Sequence, residues 1–202
     1  MTSEGQPNEH MLTRTRLEET FKVYFDEMER CVQGRCYWAL LHLVVVLPDV
    51  CAALESTNGR TSEKQYQNWC ERYLADNLLT GCDWYTIRCG VLHQGRTVDE
   101  KRKSQYVGFS FSQPNEMGLA VMRTIRAVKH GKILCMDVGD MATQVQTAMR
   151  KWFEFLEQNG QSDEVQNVIR HSEMLARSGK SSDAPLAIDM FRIQNYTTSS
   201  PF

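Results

Sequence analysis

The stretch Ile87-Arg88-Cys89-Gly90-Val91-Leu92-His93-Gln94-Gly95 joins an apolar helical pattern to an arginine and a histidine five positions apart. Apolar residues recur there at the offsets of one helix face, which predicts an amphipathic helix packed on a core. At about 100° per residue, Arg88 and His93 lie about 140° apart around a regular α-helix and do not share a stripe. A long arginine and a histidine at the helix end can still meet over a common cleft. The apolar residues of the face are Trp84, Ile87, Val91 and Leu92.

Three helical segments precede this motif helix. Apolar residues at helical spacing predict a first helix that runs to about Gln33 and ends at Gly34. Residues 37–54 are apolar on nearly every face, which predicts a central buried helix. A third helix is predicted through Trp69 and Tyr73, and Asp83 is expected to cap the motif helix.

The hydrophobic period changes after the motif helix. Val107, Phe109 and Phe111 alternate, and 133–138 is a short apolar run, so two or three strands are predicted. Asp140 is expected to cap a strongly amphipathic helix that ends at 159–160, and a last helix covers about 162–177.

These patterns predict a mainly α fold, a helical bundle with a small antiparallel β insertion after the motif helix. We expect a flexible leader over 1–11, a helical domain over 12–178 with the insertion at about 105–138, and a C-terminal tail over 179–202.

Composition indicates an ordinary soluble protein of the cytoplasm. The net charge of −2 gives no overall attraction to nucleic acid or to an anionic membrane, so such a partner needs a local patch. The polar first ten residues lack the apolar core of a secretory signal, and the apolar run 39–47 is too short to span a bilayer. Seven cysteines without such a signal indicate free thiols in a reducing compartment.

The spacing of Arg88 and His93, together with the order of elements around them, resembles the HEPN superfamily over about residues 12–157. The resemblance implies an all-helical domain, usually a homodimer across the motif helices, and in many members a metal-independent ribonuclease. Active members commonly carry a polar Asn or Asp directly after the arginine, whereas this chain has Cys89. A toxin–antitoxin or phage-defence role, with an antitoxin or another protein as partner, is implied in the same way.

The resemblance makes Arg88 and His93 the candidate catalytic pair. Histidine titrates near neutrality and can accept or donate the proton of RNA cleavage, and arginine offers a permanent forked charge to phosphate. Gln94 is a candidate for positioning the substrate. The alternative is structural: Arg88 pairs on the helix surface and His93 lies at the helix C-terminus, where a cation gains about 0.3–1 kcal/mol.

Two clusters of basic residues flank the motif and are candidate RNA contacts, since phosphate neutralisation supplies most nucleic-acid affinity. The alternative for each is a solvated loop or a charge-protected strand edge. The first cluster comprises Arg96, Lys101, Arg102 and Lys103, and the second comprises Arg123, Arg126, Lys129 and Lys132.

No cofactor motif is present, because the chain lacks the phosphate-binding and nucleophile-elbow signatures. Cys82, Cys89 and His93 could share a helix face as zinc ligands, and Cys31 or Cys36 on a neighbouring segment could supply a fourth. Structural zinc sites usually have short paired spacings, however, and no Cys-x-x-Cys pair exists. We therefore expect no metal. A second functional hypothesis is a non-catalytic helical module that binds a protein or a nucleotide.

Overall fold

A computed structural model of the chain describes residues 14–94, 104–112 and 123–178. The predicted leader 1–11 and tail 179–202 lie outside the described residues. The mainly α architecture with a small β insertion is confirmed. The elements are α1 (Arg14–Gln33), α2 (Tyr37–Glu55), α3 (Glu63–Tyr73), α4 (Gly81–Cys89), a π turn (Gly90–Gln94), β1 (Gly108–Ser112), β2 (Thr124–Val128), β3 (Gly131–Asp137), α5 (Val138–Gln158) and α6 (Asp163–Ser178).

α2 is the helix on which the others pack, as its apolar sequence predicts. It contacts α1, α3, α4, α5 and α6, and also the π turn. Leu40, Val44 and Leu47 are completely buried, and the hydroxyl of Tyr66 on α3 donates to the carbonyl of Val45 at 3.1 Å. Buried apolar side chains of this kind each contribute about 1.5–3 kcal/mol, so α2 supplies much of the driving force for the bundle.

Within the described residues, α2 is the one helix whose length and composition would allow it to cross a membrane. Half of the apolar stretch of this helix is buried inside the protein. The central helix of a soluble bundle passes the same test, and the contacts of α2 with every neighbouring helix are those of such a core element.

α1 ends at Gln33, directly before Gly34 as predicted, in a Schellman turn. The amide of Cys36 donates to the carbonyl of Cys31 at 2.8 Å, and the amide of Arg35 donates to that of Val32 at 3.1 Å. The left-handed residue of the turn is Arg35, with φ of 56°, rather than the glycine before it. The glycine marks the helix end, but the hydrogen bonds place the left-handed position one residue later.

Asp83 is not the N-cap of α4, and that prediction is wrong. Thr80 is the N-cap, and its hydroxyl accepts from the amide of Asp83 at 3.2 Å. Asp83 accepts in return from the amide of Thr80 at 2.9 Å, which completes a capping box. Threonine and aspartate are both favoured caps, so their order along the chain decides which one takes the role.

The carboxylate of Asp83 is fully buried and also holds the chain that leads into the sheet. Its Oδ1 accepts from the hydroxyl of Ser104 at 2.6 Å, and its Oδ2 accepts from the side-chain amide of Gln105 at 3.1 Å. A buried carboxylate is tolerated only where donors replace water. Asp83 therefore ties the first turn of the motif helix to the start of the β insertion.

The sheet is mixed rather than antiparallel, and its strand order is β1-β3-β2. β2 and β3 form an antiparallel hairpin around the turn at 129–130, whereas β1 runs parallel to β3 along its other edge. The alternation of apolar residues is the same for both strand directions, so it predicts the strands without fixing how β1 pairs. β1 and β3 carry the buried residues Phe109, Leu134 and Met136.

α5 begins three residues earlier than predicted. Its N-cap is Asp137, whose side chain accepts from the amide of Asp140 at 2.9 Å, so the expected cap at Asp140 is wrong. α5 connects the sheet to the bundle, because it contacts β3 as well as α1, α2 and α3. Met149, Trp152 and Phe153 are its completely buried anchors.

Gly81 sets the approach of α4 to α3. A Cβ at this position would lie 2.2 Å from the carbonyl oxygen of Gln67 on α3, which is backbone and cannot turn aside. We expect Gly81→Ala to lower the free energy of unfolding by about 1–3 kcal/mol, measured by urea denaturation.

The matched control is Gly160→Ala, since a Cβ at Gly160 would meet no atom within 4 Å. Its effect should stay below about 1 kcal/mol. Equal effects for the two substitutions would contradict the tight α3–α4 contact.

Candidate arginine–histidine site

The last turn of the motif helix brings Arg88 and His93 together. Residues Gly90–Gln94 form a π turn, whose backbone bonds span five residues instead of four. The wider turn contains one additional residue. The angle of about 140° expected between Arg88 and His93 around a regular helix therefore does not apply. Arg88 Nη1 lies 3.2 Å from His93 Nε2. The two candidate catalytic residues are therefore in contact within one chain.

Asp49 on α2 is the third member of this site, and the motif around Arg88 and His93 does not indicate it. Its Oδ2 accepts from Arg88 Nη2 at 3.0 Å. The side chains are 18% exposed for Arg88 and 27% for Asp49, so water screens the ion pair only partly. Thr61 donates from its hydroxyl to the backbone carbonyl of Asp49 at 2.7 Å. Arg88 thus bridges the core helix and the end of the motif helix.

The sequence does indicate that Asp49 has a hydrogen-bonding or cationic partner. The helix 37–55 is apolar over most of its length, and Asp49 and Glu55 are its two acidic residues. A lone carboxylate on a largely buried helix needs a cationic or hydrogen-bonding partner. Both have an arginine partner, Arg88 for Asp49 and Arg72 for Glu55. The sequence does not indicate which arginine is the partner, since Asp49 and Arg88 are 39 positions apart.

The guanidinium of Arg88 is a permanent cation. Its partial burial lowers its pKa, but the charge of Asp49 and the hydrogen bond to it outweigh this, and the net pKa is raised. The group lies 5.8 Å from the ring centroid of Tyr85, and its Nη1 is 3.9 Å from the sulfur of Cys89. Its Nε is buried and has no hydrogen-bond partner among the described residues. Arg88 therefore retains donor capacity beyond its present contacts.

His93 lies at the exposed end of this arrangement. A guanidinium donates hydrogen bonds and cannot accept them, so His93 Nε2 must be the acceptor in its contact with Arg88. The ring proton is then on Nδ1. An unprotonated ring nitrogen is the form that a general base uses, and here that nitrogen accepts from Arg88. The site presents a fixed cation and a proton acceptor side by side at the protein surface.

The second basic cluster lies on the β2–β3 hairpin. Arg126, Lys129 and Lys132 are exposed, and the hairpin contains no acidic residue from position 124 to position 136. All five residues of β2 are exposed as well, so the hairpin stands out from the bundle. It is a local positive surface on a protein whose net charge is slightly negative.

Arg123 differs from the rest of this cluster. It is ion-paired with Asp76, its Nε lies 3.7 Å from Asp140 Oδ2, and its side chain is 10% exposed. Two carboxylates therefore already neutralise its charge. Its predicted contact with RNA stays a prediction and would require these pairs to open.

Several predicted residues fall beyond the described part of the chain. Arg96, Lys101, Arg102 and Lys103 lie outside it, and Gln94 belongs to the π turn but its side chain is outside the description. All seven cysteines are free thiols. In residues 14–94, 104–112 and 123–178, no three of the usual ligand types gather as a metal site would require, so the zinc alternative gains no support.

A cleft of about 470 Å³ lies between α2, α3 and α6 and includes none of the residues of the arginine–histidine site. Three carboxylates and one guanidinium line it, so its charge does not suit an anionic substrate. Burial raises the pKa of Glu55 despite its contacts with Arg72 and Trp152. The lining residues are Ala52, Glu55, Ser56, Gln65, Asn68, Glu71, Arg72 and Glu164.

No protein-family model, no curated protein and no solved structure matches the chain. The contact between Arg88 and His93, with Asp49 paired to Arg88, places a cation beside a proton acceptor.

The ion pair between Asp49 and Arg88 should contribute measurably to stability. Asp49→Asn keeps the shape of the side chain but leaves the partly buried guanidinium without a counter-charge. We expect a loss of about 1–2 kcal/mol in the free energy of unfolding, measured by urea denaturation at neutral pH.

Asp26→Asn is the matched control, because Asp26 pairs with Lys22 on the exposed face of α1. Exposed pairs of this kind contribute less than about 1 kcal/mol. A loss for Asp49→Asn no larger than that for Asp26→Asn would show that Arg88 does not depend on its carboxylate partner.

Proposed function

We propose that the protein is a HEPN-like, metal-independent endoribonuclease, or an RNA-binding relative of one, that works in the cytoplasm. The observation that carries the proposal is the contact of 3.2 Å between Arg88 and His93. The bundle supports it, since the pair lies at the end of the fourth helix and a small sheet follows. The proposed setting is a toxin–antitoxin or phage-defence system, in which an antitoxin or another protein covers the site.

The chemistry assigns one role to each side chain. RNA cleavage through its own 2′-hydroxyl requires a base for the hydroxyl proton, a proton for the leaving 5′-oxygen and a positive charge at the phosphate. His93 Nε2 takes the hydroxyl proton, and the imidazolium so formed gives a proton to the 5′-oxygen as the P–O bond breaks. Arg88 holds the phosphate. In the free protein, Nη1 of Arg88 donates to Nε2 of His93. His93 can act as a base only when a bound phosphate takes over this donor and the guanidinium moves away from the ring. Asp49 keeps the guanidinium in place through the other nitrogen, Nη2, during this exchange.

The β2–β3 hairpin is the proposed contact surface for the RNA backbone. Arg126, Lys129 and Lys132 are exposed on it, with no acid in the hairpin to neutralise them. Three phosphate contacts give an affinity that falls with salt, with a slope of roughly −0.7 per contact for a single strand. Arg96, Lys101, Arg102 and Lys103 are proposed to extend this surface, and Gln94 to position the substrate.

We propose a homodimer across the motif helices, as the resemblance implies. The α2 outer face, which we define as Trp38, Ala39, His42 and Val46, is proposed to take part in the contact. These residues are exposed or half-exposed, although α2 is the most apolar helix of the described chain. Trp38 is 52% exposed, which is unusual for so large an apolar side chain. Asp49 follows Val46 by three residues on the same side of α2, so a second copy on this face would bring two arginine–histidine sites near each other.

A non-catalytic module that binds a protein or a nucleotide is the second candidate. Two observations favour it: Arg88 is held by Asp49, and the buried Cys89 lies against its guanidinium. In active members of the family that the chain resembles, an Asn or Asp commonly takes the place of Cys89. A thiol offers a substrate only a weak hydrogen bond.

The first test is cleavage of total RNA by the purified protein in EDTA. We expect cleavage by the wild type and a loss of at least about 100-fold in His93→Ala, because the base is removed. Since His93 is exposed, the substitution should leave the unfolding midpoint unchanged, which separates loss of chemistry from loss of fold.

His130→Ala is the matched control, because it removes an exposed imidazole from the hairpin turn. It should retain cleavage within a few-fold. If the wild type binds RNA without cutting it, the RNA-binding relative is favoured. If it neither cuts nor binds RNA, the proposal fails and the non-catalytic module takes its place.

The dimer can be tested through tryptophan fluorescence. Trp38 is exposed, whereas Trp69, Trp84 and Trp152 are completely buried. Iodide should therefore quench mainly Trp38 in the monomer, and a Trp38→Phe variant measures its share. We expect this quenching to fall as protein concentration rises, because a second copy shields Trp38.

Val46→Glu should keep Trp38 open to iodide at every concentration, since it puts a charge into the apolar contact. Thr147→Glu adds the same charge to an exposed position of α5 and should leave the concentration dependence intact. Quenching of the wild type that is constant over concentration, together with a monomer mass in light scattering, would rule out the dimer.

A further inference from the structure

The turn between α1 and α2 brings two cysteines together. Cys31 and Cys36 are the first and last residues of the Schellman turn, joined by a backbone hydrogen bond of 2.8 Å. Side chains at these two positions frequently contact each other. The Cys36 thiol is also near enough to Cys31 for its charge to raise the pKa of Cys31. A disulfide requires α-carbons about 4.4–6.8 Å apart, a separation that residues joined by a direct backbone hydrogen bond can meet.

The two thiols differ in their access to solvent. Cys36 is exposed directly before α2, with its sulfur 3.5 Å from the carbonyl oxygen of Gly34. Cys31 is 7% exposed. Its burial raises its pKa, and the charges of Glu27 and Cys36 raise it further. Cys36 is therefore the thiol that a soluble oxidant meets, and Cys31 is the neighbour that can react with the oxidised sulfur.

The other five cysteines are less suited to such chemistry. Cys51, Cys70 and Cys89 are buried, and Cys82 and Cys135 are partly covered. Cys51 and Cys70 both lie in the helical core, where burial raises the pKa of each thiol well above its ordinary value. The α1–α2 turn is thus the place where one exposed thiol and a close second thiol coincide.

We propose that Cys31 and Cys36 form a dithiol site that a hydroperoxide oxidises to an intramolecular disulfide. The Cys36 thiolate attacks the peroxide oxygen, the O–O bond breaks, and a sulfenic acid forms with release of water or an alcohol. The Cys31 thiolate then attacks the Cys36 sulfur, the S–S bond forms, and the hydroxyl leaves as water. The two thiols lose two electrons in total, and the peroxide gains them. This site is independent of the ribonuclease proposal.

The fold is already arranged for the oxidised state. The two backbone hydrogen bonds of the Schellman turn hold Cys31 and Cys36 in place while both are reduced. The ring that the disulfide closes contains six residues, with Arg35 in its left-handed conformation inside it. Oxidation would therefore join α1 to α2 at a corner that backbone hydrogen bonds already hold.

The test is mass mapping of the full chain after treatment with one equivalent of hydrogen peroxide, followed by denaturation and alkylation of the remaining thiols. We expect a mass loss of two hydrogens and alkylation of five of the seven cysteines, with Cys31 and Cys36 in one linked peptide pair. Dithiothreitol should restore alkylation at all seven. Alkylation of both Cys31 and Cys36 after peroxide would overturn the proposal.

Two serine variants separate the pair from the other thiols. Cys31→Ser should stop the reaction at Cys36 sulfenic acid, seen as the addition of one oxygen or as a trapped adduct. Cys82→Ser removes a partly covered thiol of α4 and should form the disulfide as the wild type does. An oxidised wild type in which Cys36 is linked to a second chain, or in which a different cysteine pair forms, would also overturn the assignment.

Discussion

Burial of α2 is the constraint on which the rest of the structure depends. Every other α-helix of the described chain contacts this helix, and the π turn contacts it too. A helix that is apolar on nearly all sides cannot remain in water, so the amphipathic helices pack their apolar faces around it. The arginine–histidine site is a by-product of that packing, because Arg88 reaches its carboxylate on α2 only when α4 packs against the core.

The sequence predicts the helices well because helical periodicity is a local property. Prediction from the sequence is weaker where two residue types compete for one cap position, or where the two residues of a contact are distant along the chain. Thr80 and Asp83 are both residue types favoured as caps, and apolar alternation is the same for parallel and antiparallel pairing of β1. The contact of Arg88 with Asp49 joins two segments whose pairing only the fold decides. The meeting of Arg88 and His93 was expected in outline, but its cause, a change of helix type at the end of α4, has no clear sequence signature.

Buried and partly buried carboxylates connect the parts of this molecule. Asp49 joins α2 to the motif helix, Asp83 joins the motif helix to the β insertion, and Glu55 joins α2 to Arg72 on α3 and to Trp152 on α5. Each carboxylate accepts from at least one donor of a segment far from it in sequence, which offsets part of the cost of removing its charge from water. Apolar burial does not by itself decide which segments meet, whereas each of these contacts requires two particular segments to pack together.

The π turn has a consequence for the spacer between an arginine and a histidine in such a motif. In a regular α-helix, residues four apart lie about 40° from each other, and residues five apart lie about 140° from each other. Here the turn takes up one additional residue, and the pair at five positions meets as a pair at four would in an unbroken helix. Insertion or deletion of one residue can thus be absorbed by a change of helix type. Chains with different spacer lengths can therefore present the same pair, and the spacing alone does not determine the geometry.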